Sequence, residues 1–244
     1  FSAYLSKFLS ILRADNSSVI SIKKEAINHL KMLGKAPNVK DGTYENVQAR
    51  ERTQILMDVA NKVGGIVIGT GDMSEIALGW STYNGDHMSM YAVNAGVPKT
   101  MVRLIVLYAA NNIFPQDIKP YLVDVVETPV SPELLPADNK GNIDQKTEEI
   151  VGPYELHDFF LYHFVKSGFE PKKIEYLAEK AFEGKYDRDT INKWLKIFLR
   201  RFIGQQFKRS CMPDGPQIYQ VSLSPRGGWL FPSDVNSLEW IDEL

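Results

Sequence analysis

Apolar residues recur at Ile55, Leu56, Val59, Ala60 and Val63, the spacing of one helical face, and predict a helix over residues 44–63 with Gly64 as its C-terminal stop. Ile66-Val67-Ile68 follows directly, bounded by Gly64-Gly65 and Gly69. Such a short continuous apolar run is how a buried parallel strand reads. Val19 to Ile22 is a second run of this kind. Strand, helix and strand in this order predict a βαβ unit with a right-handed crossover, whose ligand lies beyond the carboxyl ends of the strands. The residues just after Ile68 are therefore the place where chemistry is expected.

A further helix is predicted to begin at Pro98, a favoured first helical position, and to run through Leu107 and Ala110. From Thr128 to Pro153 the pattern gives way to Pro, Asp, Asn, Gly, Lys and Glu, which predicts a long mobile loop of the kind that serves as a lid. Three helices are expected after it: 155–167 ended by Gly168, 171–182 ended by Gly184, and 189–207 with Asp189 as cap. The aromatic stripes there (Phe159, Phe160, Tyr162, Phe164; Trp194, Ile197, Phe198) read as packing faces.

Composition narrows the class. With 244 residues, 44% hydrophobic and 24% charged, the chain has material for one well-buried core or two small domains. The longest apolar stretch, Met101 to Phe114, is interrupted by Arg103, Asn111 and Asn112 and falls short of the roughly 18 apolar residues of a membrane span. Phe1 to Ser10 lacks the charged start and cleavage site of a secretory signal, so a cytoplasmic setting without membrane contact is expected. A net charge of −2 offers no basic footprint for nucleic acid. The lone Cys211 cannot form an internal disulfide and has no histidine beside it in sequence.

The stretch after Ile68 reads Gly69-Thr70-Gly71-Asp72-Met73-Ser74-Glu75. Two readings stand. Asp72 and Glu75 have the spacing of a capping box at a helix start; alternatively, the turn amides face an anion while Glu75 holds a hard cation such as Mg²⁺. Trp80-Ser81-Thr82-Tyr83-Asn84-Gly85-Asp86-His87 then mixes aromatic and polar groups in a way that suits a binding loop: a ring to stack on a flat heterocycle, and Asp86 to anchor a hydroxyl or ammonium. Asn46, Gln48, Arg50 and Arg52 interleave with Glu45 and Glu51 near a helix start, where cations oppose the macrodipole; they line either a site or a solvated face.

Together these residues carry a resemblance. The run Tyr44 to Thr53, the run Gly69 to Tyr83, Gly85-Asp86, Asn94, Val97-Pro98-Lys99-Thr100, Glu127-Thr128-Pro129, Glu133-Leu134, Gln206-Phe207-Lys208-Arg209-Ser210 and Leu223-Ser224-Pro225-Arg226-Gly227 resemble the glutamine-dependent NAD synthetases. The resemblance covers most of the chain from Tyr44 onward. It implies an α/β fold of the ATP-pyrophosphatase kind: a Rossmann-like parallel sheet with helices on both faces, incomplete here, followed by a helical C-terminal region. The implied reaction adenylates the nicotinate carboxylate of deamido-NAD with ATP, releasing pyrophosphate; ammonia from glutamine then displaces AMP to give NAD. By the resemblance, Thr70, Lys99 and Thr128 meet ATP, and Glu75 holds Mg²⁺ and the deamido-NAD end, with Glu75 and Lys99 as the catalytic pair. Asn46, Arg50, Arg52, Thr53, Trp80, Ser81, Thr82, Tyr83, Asp86 and Lys208 line the deamido-NAD pocket, and the protein associates as a homo-oligomer.

The family's Ser-Gly-Gly-x-Asp-Ser loop, whose amides cradle ATP phosphates, does not occur in this sequence, nor does the glutaminase domain with its Glu, Lys and Cys. The expectation is that residues 1–244 form the C-terminal portion of the synthetase domain, with ammonia delivered from sequence outside it. The alternative is a non-catalytic piece that binds deamido-NAD or serves oligomerisation.

Overall fold

The computed structural model describes residues 14–36, 38–128 and 147–244. Helix α1 (Lys23–Met32) packs on α2 (Gly42–Val63) through Ala26, Leu30 and Val47, with Tyr44 against them. Asp41 starts α2, its carboxylate accepting from the amides of Thr43 and Tyr44, and Gly64 ends it in the left-handed conformation at φ 66°. The helix is where the periodicity placed it, yet Leu56, Val59 and Val63 on its stripe are exposed.

Strand β1 (Ile68–Gly69) pairs in parallel with β2 (Tyr91–Ala92), Ile68 opposite Tyr91 and Gly69 opposite Ala92. Helix α3 (Met73–Leu78) forms the connection between them. The βαβ unit is thus β1–α3–β2, and the one expected from residues 19–22, 44–63 and 66–68 is not formed. Residues 19–22 are not a strand: Val19 is 74% exposed and no neighbouring strand supplies the hydrogen bonds that an extended segment needs. A two-stranded parallel sheet is the whole of the sheet among the described residues; Ile68 is exposed on it, as is Ile66, which lies before the strand rather than in it.

Helices α4 (Lys99–Asn112) and α5 (Lys119–Glu127) meet through Ala110, Ile118 and Leu122. Pro98 is the cap of α4 rather than its first residue. Residues 129–146 of the expected lid lie outside the described residues. Its end forms a short helix, α6 (Thr147–Val151), where continuous loop was expected.

The main core is built by α3 and the C-terminal helices. These are α7 (Tyr154–Leu161), which widens into a π-helical turn at Tyr162–Lys166, α8 (Pro171–Ala181) and α9 (Arg188–Gly204). A one-turn helix α10 (Gln206–Arg209) and a terminal turn α11 (Leu238–Asp242) follow. Along α9 the buried residues Ile191, Trp194, Leu195, Phe198, Leu199, Phe202 and Ile203 keep the helical spacing, and each contributes about 1.5–3 kcal/mol of apolar burial. They meet Leu156, Phe160, Leu161, Ile174, Met73 and Leu78 in one cluster. The cap of α9 is Asp187, accepting from Thr190 N at 2.7 Å, rather than Asp189; two aspartates flank Arg188, and the first has the extended backbone a cap requires.

Candidate functional site

A cavity of about 540 Å³ opens beside the carboxyl end of β1, lined there by Gly69, Thr70 and Gly71. Glu45, Asn46 and Arg52 of α2 form one wall. Glu75 and Ile76 of α3 and the loop residues Gly79, Trp80, Ser81, Thr82, Asp86 and His87 form another, and Arg201, Lys208, Arg209, Met212 and Pro213 reach in from the C-terminal region. Three segments far apart in sequence therefore meet at one opening.

The capping box at α3 is realised. The Asp72 carboxylate accepts from Glu75 N at 3.0 Å, and Glu75 Oε2 accepts from Asp72 N at 3.2 Å. The Met73 amide is engaged by Val97 O at 3.0 Å, so the amides of Met73 and Glu75 both have partners within the protein. The same two carboxylates also carry charge chemistry: Lys99 Nζ lies 2.7 Å from Asp72 Oδ2 and 2.9 Å from Glu75 Oε1. Burial raises the pKa of Asp72, and burial followed by the charge of Asp72 raises that of Glu75. Burial works against the Lys99 ammonium, but the two carboxylates outweigh it and hold its pKa above the ordinary value. Beside Lys99, at 5.1 Å from the ring centroid, is Tyr154, whose buried hydroxyl has no hydrogen-bond partner.

Lys99 is aimed by a relay of hydrogen bonds. Its own amide donates to Ser74 Oγ at 2.8 Å, the Ser74 hydroxyl donates to Asp158, and Asp158 Oδ2 accepts from Thr100 N at 3.0 Å. Sequence reading missed Asp158, because nothing local in Tyr154 to Leu161 marks one carboxylate as the cap of a different helix.

The binding loop is tied to α2. Thr82 Oγ1 donates to Asn46 Oδ1 at 2.8 Å, and Thr82 N donates to Asp86 Oδ1 at 2.8 Å. Arg50 Nε donates to Tyr83 O at 3.2 Å. The Tyr83 ring stacks on His87 with centroids 5.4 Å apart, and His87 Nε2 is 3.5 Å from Cys211 Sγ. The lone cysteine thus gains a histidine neighbour through the fold.

Most of the expected site residues line the cavity: Asn46, Arg52, Thr70, Glu75, Trp80, Ser81, Thr82, Asp86 and Lys208. Arg50 and Tyr83 support the loop from outside it. Thr53 turns back on its own helix, donating to Ala49 O at 3.1 Å, and Thr128 does the same at the end of α5, donating to Asp124 O at 2.7 Å. Lys99 stands behind Glu75 rather than in the lining. Lys208 is engaged by backbone, its ammonium donating to Gly79 O at 2.8 Å and Ser81 O at 2.6 Å.

For a divalent cation, Glu75 is the more reachable of the two carboxylates at the start of α3. Its side chain is 26% accessible against 5% for Asp72, which suits a Mg²⁺ that takes one or two carboxylates and completes its shell with phosphate oxygens and water.

A cavity of this size, set against the end of a parallel strand pair and lined by Arg52, Arg201 and Lys208 together with Glu45, Glu75 and Asp86, has room for a ligand of nucleotide dimensions on an α/β frame. The family described as NAD synthase matches residues 7–196, and the chain belongs to that family. It is 44% identical over 224 residues to a glutamine-dependent NAD(+) synthetase of Mycobacterium leprae, covering 84% of this chain and 33% of that protein. To the glutamine-dependent NAD(+) synthetase of Thermotoga maritima it is 35% identical over 162 residues, covering 65% of this chain and 24% of the relative. The crystal structure of a glutamine-dependent NAD(+) synthetase from Cytophaga hutchinsonii shares the fold, with a TM-score of 0.68 at 20% identity over 91% of this chain and 34% of that one. The chain spans about a third of the length of the mycobacterial relatives. Among the described residues no helix is long and apolar enough to cross a membrane.

Proposed function

We propose that this protein makes NAD by ATP-dependent amidation of deamido-NAD, with ammonia drawn from glutamine. The observation that carries the reading is the cavity itself. It brings Trp80, a flat stacking surface, together with Arg52 and Lys208, cations suited to a dinucleotide's carboxylate and phosphates.

The nicotinate carboxylate oxygen attacks the α-phosphorus of ATP, the bond to the β-phosphate oxygen breaks, and pyrophosphate leaves. Ammonia then attacks the activated acyl carbon, AMP leaves with the acyl oxygen, and a proton is lost from nitrogen. A carboxylate is a poor acyl donor to ammonia until its oxygen is made able to leave as AMP. The enzyme's task is to orient the two substrates and to offset charge on the departing pyrophosphate. In this reading Lys99 serves the second task, and Glu75 would hold a Mg²⁺ that supplies further positive charge there. Lys99 reaches a phosphate by exchanging one of its two carboxylate partners for it. In the same reading Asn46, Thr82 and Asp86 form the hydrogen-bonded frame of the deamido-NAD side, which Arg50 supports through its bond to Tyr83 O; Thr53 would meet deamido-NAD, and Thr70 and Thr128 would meet ATP. The exposed Leu104, Ile105 and Tyr108 of α4 favour a homo-oligomer, and a reaction that uses ATP suits the cytoplasm.

The test is pyrophosphate release by the enzyme with deamido-NAD, ATP and Mg²⁺. Release that saturates with deamido-NAD and stops without it is expected; ATP cleavage that ignores deamido-NAD would overturn the assignment.

A further inference from the structure

Helix α3 ends in the wall of the cavity, and its last carbonyls are met by three cations from the far end of the chain. Arg209 Nη1 donates to Ala77 O at 2.8 Å, Arg201 Nε donates to Leu78 O at 3.0 Å, and Lys208 Nζ donates to Gly79 O and Ser81 O. The terminal carbonyls of a helix lack intrahelical donors and carry its negative dipole end, so cations belong there. One would satisfy that need on a six-residue helix; three side by side repel each other, and none has an ion-pair partner among the described residues.

The three differ in surroundings. Arg209 is completely buried and spends its remaining donors on Phe202 O and Gln206 Oε1, so it is a fastener inside the core. Lys208 has one anchoring ammonium and no planar group. Each of the three also meets an aromatic ring, Arg209 that of Phe202 at 4.2 Å and Lys208 that of Phe207 at 5.9 Å, but neither of those rings lines the cavity; the guanidinium carbon of Arg201 lies 5.0 Å from the centroid of the Trp80 ring, and both of these residues do. Trp80 immediately follows Gly79, the left-handed residue that turns the chain out of α3. Its amide donates to Glu75 O at 2.9 Å, which fixes its backbone, and its ring packs on the main core on one side and meets the Arg201 guanidinium.

We propose that Arg201 is a positioning residue of the substrate pocket: pinned to Leu78 O, its guanidinium holds the Trp80 ring in the plane that receives the flat base or pyridine ring of the ligand. A guanidinium suits the role because its planar face lies along an aromatic ring while its edge still donates, which a lysine ammonium cannot do at once. Sequence reading passed over Arg201 because, within Leu199-Arg200-Arg201-Phe202 on an amphipathic helix, it reads as part of the solvated face.

The inference rests on the reading of the cavity as the deamido-NAD pocket, and a double-mutant cycle separates the two. In the enzyme, Arg201→Ala raises the KM for deamido-NAD about tenfold, the scale of a largely desolvated cation–π contact, while the KM for ATP stays within about twofold. In a Trp80→Ala background the same replacement changes the KM for deamido-NAD by less than about twofold, because the ring it acts through is gone. Arg201→Gln keeps a donor for Leu78 O without a charge to stack; it reproduces the KM effect in a folded protein, and it decides the matter should Arg201→Ala fail to fold. An unchanged KM in the Arg201→Gln enzyme, or an equal loss with and without Trp80, overturns the positioning role. If instead the parent enzyme shows no saturable dependence on deamido-NAD, the reading of the pocket is what fails.

Discussion

Asp158 caps a helix to which it does not belong: its Oδ2 accepts from the backbone amide of Thr100 at 3.0 Å and from the Thr100 hydroxyl at 2.6 Å, across 58 residues of chain. Pro98 has no side chain to cap α4, so α7 provides the acceptor. Asp158→Ala should lower stability by about 2 kcal/mol, since it removes a cap and leaves buried donors unpaired. Urea unfolding should show an earlier midpoint with unchanged slope. A midpoint equal to the parent's would mean that Asp158 holds nothing.

His157 is buried among Phe160, Trp194 and Phe198, donates from Nε2 to Val151 O, and has no partner at Nδ1. Burial pushes its pKa from 6.5 down to about 4. The unfolded chain therefore takes up a proton near pH 6.5 that the folded state refuses until about pH 4, and stability falls as pH drops through that window. The loss amounts to roughly 3 kcal/mol over the window. His157→Gln keeps a donor but cannot titrate, so its stability should decline less than the parent's between those values. Parallel pH curves for the two proteins would sink the idea.

Glu75 is both cap partner and charge. Glu75→Gln keeps the side-chain oxygen for Asp72 N but leaves Lys99 with one carboxylate. The melting temperature should stay close to the parent's, while adenylate formation drops by about 10²-fold or more and recovers in part at higher Mg²⁺. A variant that melts several degrees lower yet turns over normally would reduce Glu75 to its capping role.

Gly79 combines a left-handed φ of 57° with close packing: a Cβ there would lie 2.3 Å from Gln205 Cβ. Gly79→Ala should destabilise by on the order of 2 kcal/mol or more, from the backbone conformation and the clash together. Gln205→Gly in the same chain should restore part of the loss by removing the clash alone. Equal stability of Gly79→Ala and the parent would refute the close approach.

What could be read along the chain was whatever a short stretch decides for itself. The stop at Gly64, the box at Asp72 and Glu75, and the stripe of α9 depend on neighbours within a turn or two, and each is found in place. The loop from Trp80 to His87 also announced itself, being too polar and aromatic for a helix interior. Val19 to Ile22 misled because an apolar run is a strand only where a second strand lies beside it. Strand β2 escaped notice because Tyr91-Ala92 is two residues long and sits among turns. Asp158, Arg201 and Arg209 were beyond local reading altogether, since their partners lie 58 to 132 residues away.

The bond from Lys208 to Gly79 O, 129 residues apart, sets a schedule for the protein's birth. At synthesis rates of about 5–20 residues per second, the strand, the loop and Lys99 exist for roughly 6–26 s before the cations that hold the loop's backbone have been made. Throughout that interval Trp80 has no Arg201 to rest on. The cavity wall that Arg201, Lys208 and Arg209 fasten is therefore completed late, as one event, when α9 and α10 dock.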